Sequence, residues 1–414
     1  MIARPNNTKN WLFSVSGNMK NTIKFFSNPL PLLVAALGVF QAVAQQPRPQ
    51  GFDRRVVTTS VPFLIISPDS RSGAMGDVGV STTVDPFSMY WNPAKLAFLE
   101  DNDQILSVSY NPLLSRLVPD INMTYVTYNQ KISPTQAFGI GFRYFTLGEI
   151  QFTDDQNNNL FLAEPNEFAI DAGYSLKFSE NLSGAIALRY IYSNLTQGQQ
   201  LVGGIQTQAG QAFSADISAY YIGNEIPMEG GQSGRFTAGF NISNIGNKIR
   251  YTETGRADFI PTNMRLGGGF LWSLDQYNEL RFHLEVNKLL VPTPPIRDIN
   301  DSIIAGKDDD VSVIRGIFQS FNDAPGGFSE ELREFILNTG VEFVYDNTFA
   351  IRGGYQFEHE SKGGRKYFTI GLGIRYSALS FDFSYLIPQS AIVRSPLENT
   401  LRFSLAFNFN TKKK

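Results

Sequence analysis

The amino-acid sequence predicts an all-β protein, a 14-stranded antiparallel transmembrane β-barrel of the outer-membrane kind, closed around an N-terminal hatch. Three observations predict it. Segments with a period of two recur from about Gln104 to Asn410, the lengths of the connections between them alternate short and long, and the chain opens on an export signal. The strand pattern is plainest at the end. Leu401, Phe403, Leu405, Phe407 and Phe409 fall on one face, and Arg402, Ser404, Ala406, Asn408 and Asn410 fall on the other. Alternate side chains of a strand point to opposite faces, so this segment has one oily and one wet surface. A soluble sandwich would bury the oily face; a barrel in lipid turns it to hydrocarbon and lines its lumen with the wet one.

At the N-terminus, Met19, Lys20 and Lys24 form a basic region, Leu30 to Phe40 is a short apolar run, and Ala42-Val43-Ala44 is a small-x-small cleavage site before Gln45. This order reads as a secretory signal peptide over 1–44, cut after Ala44, with Met19 as the true start, rather than as a buried apolar helix. No later stretch approaches the roughly 20 apolar residues of a membrane helix. The chain of 414 residues has no cysteine, which removes disulfides, thiolate metal sites and cysteine nucleophiles. A net charge of −3 offers no basic footprint for nucleic acid.

Residues 45–103 are expected to form an arm and a hatch inside the barrel. Gln45 to Asp53 is polar and proline-rich; Val56 to Leu99 is dense in Gly, Pro, Ser and Asp with no sustained period, and reads as compact irregular structure with one or two short helices. Fourteen strand candidates follow near 104–110, 121–131, 137–147, 167–178, 182–194, 212–222, 235–245, 262–274, 278–288, 335–345, 349–358, 366–376, 379–387 and 400–410. Most have about ten residues, the length a tilted strand needs to cross hydrocarbon. Parity is weaker in the first three and in the eighth. With the N-terminus placed in the periplasm, five of the even connections are short (132–136, 179–181, 275–277, 346–348, 377–378) and the odd ones run long. Segregation of loop length by parity belongs to outer-membrane barrels, and a sandwich has no reason for it. Tyr110, Tyr128, Tyr144, Tyr192, Trp272, Tyr345 and Tyr376 gather near strand ends, as interfacial girdles do. The barrel therefore covers 104–410, its outer loop 289–334 is the largest, and 411–414 is a basic tail.

That long loop opens on Val291-Pro292-Thr293-Pro294-Pro295, a stiff arm. Ile314, Ile317, Phe318 and Phe321 then recur at helical spacing, and Ser329 to Glu334 reads as a capped helical turn. The apolar face either packs on neighbouring loops or binds a partner. By parity the lumen carries Arg143, Arg189, Arg265, Arg281, Arg352, Arg375 and Arg402 against Asp171, Asp216, Glu285, Glu342 and Asp382. Such a set either marks a solute pathway or braces the hatch by mutual pairing, and bracing is the expectation. Neither histidine, His283 or His359, has a partner arrangement suited to catalysis, and Asp308-Asp309-Asp310 lacks the Gly and distal Glu of a calcium loop. No catalytic residue, metal site or cofactor site is expected.

The signal peptide, the fourteen strands and a hatch with Trp91-Asn92-Pro93-Ala94 resemble the FadL-type outer-membrane barrels, whose plugs contain an Asn-Pro-Ala segment. Three stretches are similar more narrowly to the PorV (LptO) family of the Bacteroidetes type IX secretion system. They are Ser67–Asp77, Asp85–Leu99, and Gly316-Ile317-Phe318-Gln319-Ser320-Phe321-Asn322-Asp323-Ala324-Pro325-Gly326-Gly327-Phe328. Asn-Pro-Ala alone is unspecific; the loop segment together with the hatch is specific. The resemblance implies a FadL-like barrel with Arg71, Trp91, Asn92 and Pro93 in the hatch. It also implies a non-catalytic carrier in the outer-membrane lipid. Such a carrier collects the C-terminal signal domains of type IX cargo at a giant translocon barrel and delivers them to a C25-type sortase peptidase of the attachment complex. Ile317, Phe318, Phe321 and Phe328 are the candidate cargo or partner contacts. A FadL-like transporter of hydrophobic small molecules is the alternative. Two features depart from the pattern: Phe409 is followed by five more residues, and the extension before Met19 is unusual.

Overall fold

In a computed structural model of the chain, the structure describes residues 55–113, 120–153, 159–195, 197–198, 206–253, 255–389 and 400–410. The expected signal peptide with Met19 and Ala44, the first part of the arm at 45–54 and the tail at 411–414 lie outside the described residues. Fourteen long strands follow one another: β1 Gln104–Pro112, β2 Asn122–Ser133, β3 Gln136–Thr146, β4 Asn166–Lys177, β5 Leu182–Asn194, β6 Gly210–Ile222 and β7 Ser233–Gly246. The second half is β8 Asn263–Ser273, β9 Asn278–Leu289, β10 Ile336–Tyr345, β11 Phe349–Phe357, β12 Lys366–Tyr376, β13 Leu379–Pro388 and β14 Leu401–Asn408. Each pairs antiparallel with its sequence neighbours, and β1 pairs with β14 from Ile105↔Asn408 to Tyr110↔Phe403. The sheet is therefore closed, and it leaves no unpaired edge in lipid. Among the described residues no helix is long and apolar enough to cross a membrane.

Strand parity decides which side chains meet hydrocarbon. Leu106, Val108 and Tyr110 of β1 are exposed while Ser107, Ser109 and Asn111 are buried in the lumen. Ile370, Leu372 and Ile374 of β12 point outward in the same way, and so do Leu405 and Phe407 of β14. A continuous apolar wall of this kind far exceeds the few hundred Å² that a soluble monomer exposes, so the wall is built for hydrocarbon. β1, β2 and β3 alternate more cleanly than their sequences promise. β8 stays irregular because Gly267-Gly268-Gly269 has no side chains to alternate. Five turns on one end are short (134–135, 178–181, 274–277, 346–348, 377–378), and the connections at the other end are longer.

Residues 55–103 fill the lumen and run its full length. Val61, Phe63 and Leu64 pack with Ile121, Phe145, Ile191 and Ile260 at the long-loop mouth. Arg55 donates its backbone N–H to Ser361 in the loop after β11, and Ser60 donates to Phe259 in the loop after β7. Midway, Ser70 N–H donates to Ser404 Oγ at 2.9 Å. At the short-turn mouth Leu99 meets Ile105, and Asp103 accepts from Asn408 at 2.6 Å. The start of β1 thus lies at the short-turn mouth, where a periplasmic N-terminus was expected, but Arg55 lies at the opposite one.

Candidate functional site

The lumenal segment is held by short caps that its own sequence supplies. Asp69 caps α1 (Ser70–Gly73), accepting from Ser72 N–H at 2.9 Å through one oxygen and from Trp91 Nε1 at 2.6 Å through the other. Trp91 closes α2 (Ser88–Trp91) and packs edge-on to Tyr90, with centroids 4.7 Å apart. Asn92 and Pro93 start the 3-10 turn Pro93–Phe98: Asn92 Oδ1 accepts from Ala94 N–H at 3.1 Å, and Pro93 sets φ where no N–H is needed. Asn92 Nδ2 also donates to the Val80 carbonyl at 2.9 Å and to the Ala219 carbonyl of β6 at 3.0 Å. Ser183 Oγ of β5 donates to the Ala94 carbonyl at 2.7 Å, and Asn241 Nδ2 of β7 donates to the Trp91 carbonyl at 3.0 Å. The Trp-Asn-Pro-Ala run is therefore a fastening between the segment and one side of the wall.

Charge fastens the other side. Arg71 engages Glu342 of β10 bidentately, through Nε at 3.1 Å and Nη2 at 2.8 Å, and Asp85 through Nη1 at 3.2 Å. Its remaining donors reach Thr83, at the carbonyl 3.0 Å away and at Oγ1 2.8 Å away. Lys95 is fully buried, and its three donors reach the Gly79 carbonyl (2.9 Å), Thr82 Oγ1 (3.0 Å) and Asp85 (3.3 Å). A buried charge survives only with such saturation, since removing one partner leaves several kcal/mol of desolvation unanswered. Glu342 further accepts from Arg281 at 2.9 Å and from Arg352 at 2.6 Å. Arg143 and Arg189 share Asp171, Arg189 also meets Asp216 at 3.0 Å, Arg265 lies 3.8 Å from Glu285, and Arg402 lies 3.6 Å from Asp77. Six of the seven lumenal arginines thus pair, and Arg375 has no side-chain partner among the described residues. The wall makes room with glycine: a Cβ on Gly239 would strike the Val80 carbonyl, and one on Gly340 would lie 2.6 Å from Met75 Cβ.

The long loop is the other candidate. It spans 290–335 and contains a small hairpin, α3 (Val313–Gln319) and α4 (Phe328–Glu331). Its base is knitted by ion pairs. Lys288 reaches Glu334 and, at 3.3 Å, Glu331; Lys362 reaches Glu330 at 2.7 Å and Glu334 at 2.8 Å. Thr293 Oγ1 adds a bond to Glu334 at 2.6 Å. Burial pushes Glu334 up, but Lys288 and Lys362 outweigh it and hold the carboxyl below its usual value. Asp323, buried beside Glu331 and Glu334, is instead pushed up to about 6, mainly by burial. On this base α3 buries Gly316 and Gln319, and it turns Ile314 and Phe318 to solvent, with Phe321 following. Phe318 and Phe328 are 73% and 77% exposed, and Leu332 is exposed as well. Ile317 is half-buried, so the apolar surface is carried by Ile314, Phe318, Phe321, Phe328 and Leu332. The expected Ser329 cap is replaced by Gly327, which takes a φ of 67° and offers no side chain.

Other groups are structural. The aspartates 308–310 face cations: Asp309 lies 2.8 Å from Arg297 and 3.3 Å from Arg256, and Asp310 lies 3.0 Å from Lys248. His359 Nδ1 accepts from Ser361 N–H at 3.2 Å and caps a turn. His283 is buried in the lumen, and the missing side chain of Gly269 leaves room for its ring. Sequence reading missed Lys95 and Asp85, whose chemistry shows only when Asp85 sits between Arg71 and Lys95. It missed Lys288 too, because strand parity alone would aim it at lipid.

A family model described as "Type IX secretion system protein PorV" matches residues 49–296 of this chain. No curated protein matches it. Among solved structures, the toluene transporter TodX of Pseudomonas putida is 11% identical with a TM-score of 0.48, over 83% of this chain and 98% of that one. The toluene transporter TbuX of Ralstonia pickettii is 12% identical with a TM-score of 0.44, over 82% and 97%. A Pseudomonas aeruginosa FadL homologue is 11% identical with a TM-score of 0.41, over 86% and 100%. Likeness at this level carries nothing about what this chain handles.

Proposed function

This chain belongs to the PorV family and is an outer-membrane β-barrel component of the type IX secretion system, and from that premise we propose that it is a cargo adaptor without catalysis of its own. In this reading it binds the C-terminal signal domain of an exported cargo, receives it at the giant translocon barrel and hands it to the sortase peptidase of the attachment complex. The observation that carries the reading is the exposure of Phe318, Phe321 and Phe328 on a loop with an ion-paired base. Apolar side chains fixed in place and left open to water are what a protein partner covers, since large rigid anchors lose little entropy on binding. Residues 55–103 act as the hatch, with Arg71, Trp91, Asn92 and Pro93 as its fastenings, so the carrier works without opening a leak.

A tagged copy, solubilised in detergent from the envelope, should co-purify with the translocon barrel or with the sortase peptidase. Cells without the protein should keep cargo in the periplasm with its C-terminal domain uncleaved. Normal surface display of cargo in those cells would end the proposal. The competing transporter reading predicts instead that deletion abolishes uptake of fatty acids or aromatics. The closely paired charges that crowd this lumen weigh against such a route.

A further inference from the structure

The long loop carries a second chemistry besides its apolar side chains. Most of its cations are taken. Lys288 and Lys362 hold Glu330, Glu331 and Glu334 between them, and Arg297 holds Asp309 at 2.8 Å. Lys307 donates to Asn322 Oδ1 at 2.6 Å. Two arginines differ. Arg315 lies on α3, and Arg333 lies in the 3-10 turn Leu332–Glu334 that follows α4. Among the described residues neither guanidinium has a hydrogen bond, an ion pair or a ring contact.

Both arginines stand next to exposed apolar side chains. Residues three and four apart on a helix are neighbours, so Ile314, Arg315 and Phe318 form one continuous face of α3. All three are exposed, while Gly316, Gln319 and Ser320 are buried. Arg333 is half-buried and follows Leu332, which is 55% exposed. Its charge is felt at His359, which burial first and then Arg333 push below the ordinary histidine value. The same coupling of an unneutralised guanidinium with an exposed apolar side chain thus occurs on two turns of a loop rich in carboxylates. Arg250, in the loop after β7, is also exposed and unpaired, but Ile249 before it is buried.

A guanidinium is weakly hydrated and presents a planar fork of donors that fits the two oxygens of a carboxylate. Phosphate-reading sites gather several arginines on one spot, whereas these two stand singly. Their apolar neighbours are covered by other apolar side chains, which a phosphate headgroup does not provide.

We propose, on the adaptor reading above, that α3 and the turn at Arg333 recognise a protein segment in which acidic side chains stand next to apolar ones. Arg315 and Arg333 each receive one carboxylate of that segment, which belongs to the C-terminal signal domain of the cargo. The test uses the full-length protein in detergent, with the purified C-terminal signal domain of one exported cargo as the probe. Wild type should bind, and added salt should weaken the binding. Arg315→Gln combined with Arg333→Gln should bind about tenfold more weakly at low salt and should lose most of the salt dependence. Arg250→Gln should match wild type. Because neither guanidinium holds anything in the structure, the double variant should melt with wild type. Phe318→Ser combined with Phe328→Ser is titrated with the same probe. Weakening by the phenylalanine pair, with wild-type binding by the arginine pair, would overturn the role of the arginines and leave the adaptor reading in place. Absence of binding by wild type would end both. Loss of co-purified lipid phosphate from the arginine pair, with cargo binding unchanged, would also overturn the proposal and give these residues to a lipid headgroup.

Discussion

The lumenal segment and the long loop use the same device to opposite ends. Both rest on buried ion pairs: Arg71 with Glu342 and Asp85 inside, Lys362 and Lys288 with Glu330, Glu331 and Glu334 at the loop base. Inside, the paired groups face each other across the bore and most of their donors are taken. Outside, the pairs stop at the base, and the side chains beyond them are apolar and bare. In one place saturation ties the segment to the wall; in the other it stiffens a base under side chains exposed to water. Under the proposed function, the pairing inside the barrel serves the hatch and the exposed apolar side chains of the loop serve the partner.

Four measurements would break or sharpen this contrast. The largest effect belongs to Glu342→Ala, which takes one of two carboxylate partners from each of three guanidiniums at once. A loss of about 3–5 kcal/mol is expected, seen as an earlier unfolding midpoint in detergent and as new proteolysis within 55–103; wild-type resistance would mean the interior pairing seals nothing. Asn92→Ala should cost about 1–3 kcal/mol, because the Val80 and Ala219 carbonyls lose their donor. Hydrogen exchange should quicken around residues 79–80 and 94 while the strands stay protected. Phe318→Ser combined with Phe328→Ser should change stability by no more than about 0.5 kcal/mol yet reduce recovery of secretion partners at least tenfold. Unchanged recovery would remove the loop from partner binding. The smallest effect is a pH response at the loop base. With Asp323 pushed up to about 6, its protonated form favours the folded loop, and that advantage fades as pH rises from the ordinary carboxyl value through about 6. Glu330 and Glu334, held low, stay ionised over that range. Amides near Ala324 should show greater protection, relative to their intrinsic exchange rates, at pH 5 than at pH 8, and Asp323→Asn should flatten the difference.

The wall was legible because hydrocarbon on one side and water-accessible lumen on the other impose a period of two that no local exception can hide. Phe168, Ile170 and Tyr174 show it in β4, opposite buried Asp171 and Ser175. The lumenal segment was legible only as an interruption of that period. Its contacts join residues far apart in the chain, and nothing near Arg71 announces Glu342, 271 positions later. In the loop, helical spacing found α3 but left open which of its apolar side chains face outward. Gly316 lets the helix sit close over Phe259 and Pro292, which turns Ile317 partly inward and leaves Ile314 outside. Lys288 was illegible for a related reason: the loop folds back to cover a position that the strand alone would hand to lipid.

Residues 55–103 enter at one mouth and leave at the other before the first strand begins. A finished cylinder would have to be threaded by a chain bearing Arg71 and Lys95, against walls that Gly239 and Gly340 allow to fit with almost no clearance. A sheet that curls around this segment as around a mandrel, with the seam between β1 and β14 zipped last, avoids that threading. On this path, a copy that seals its seam too early should be left hollow.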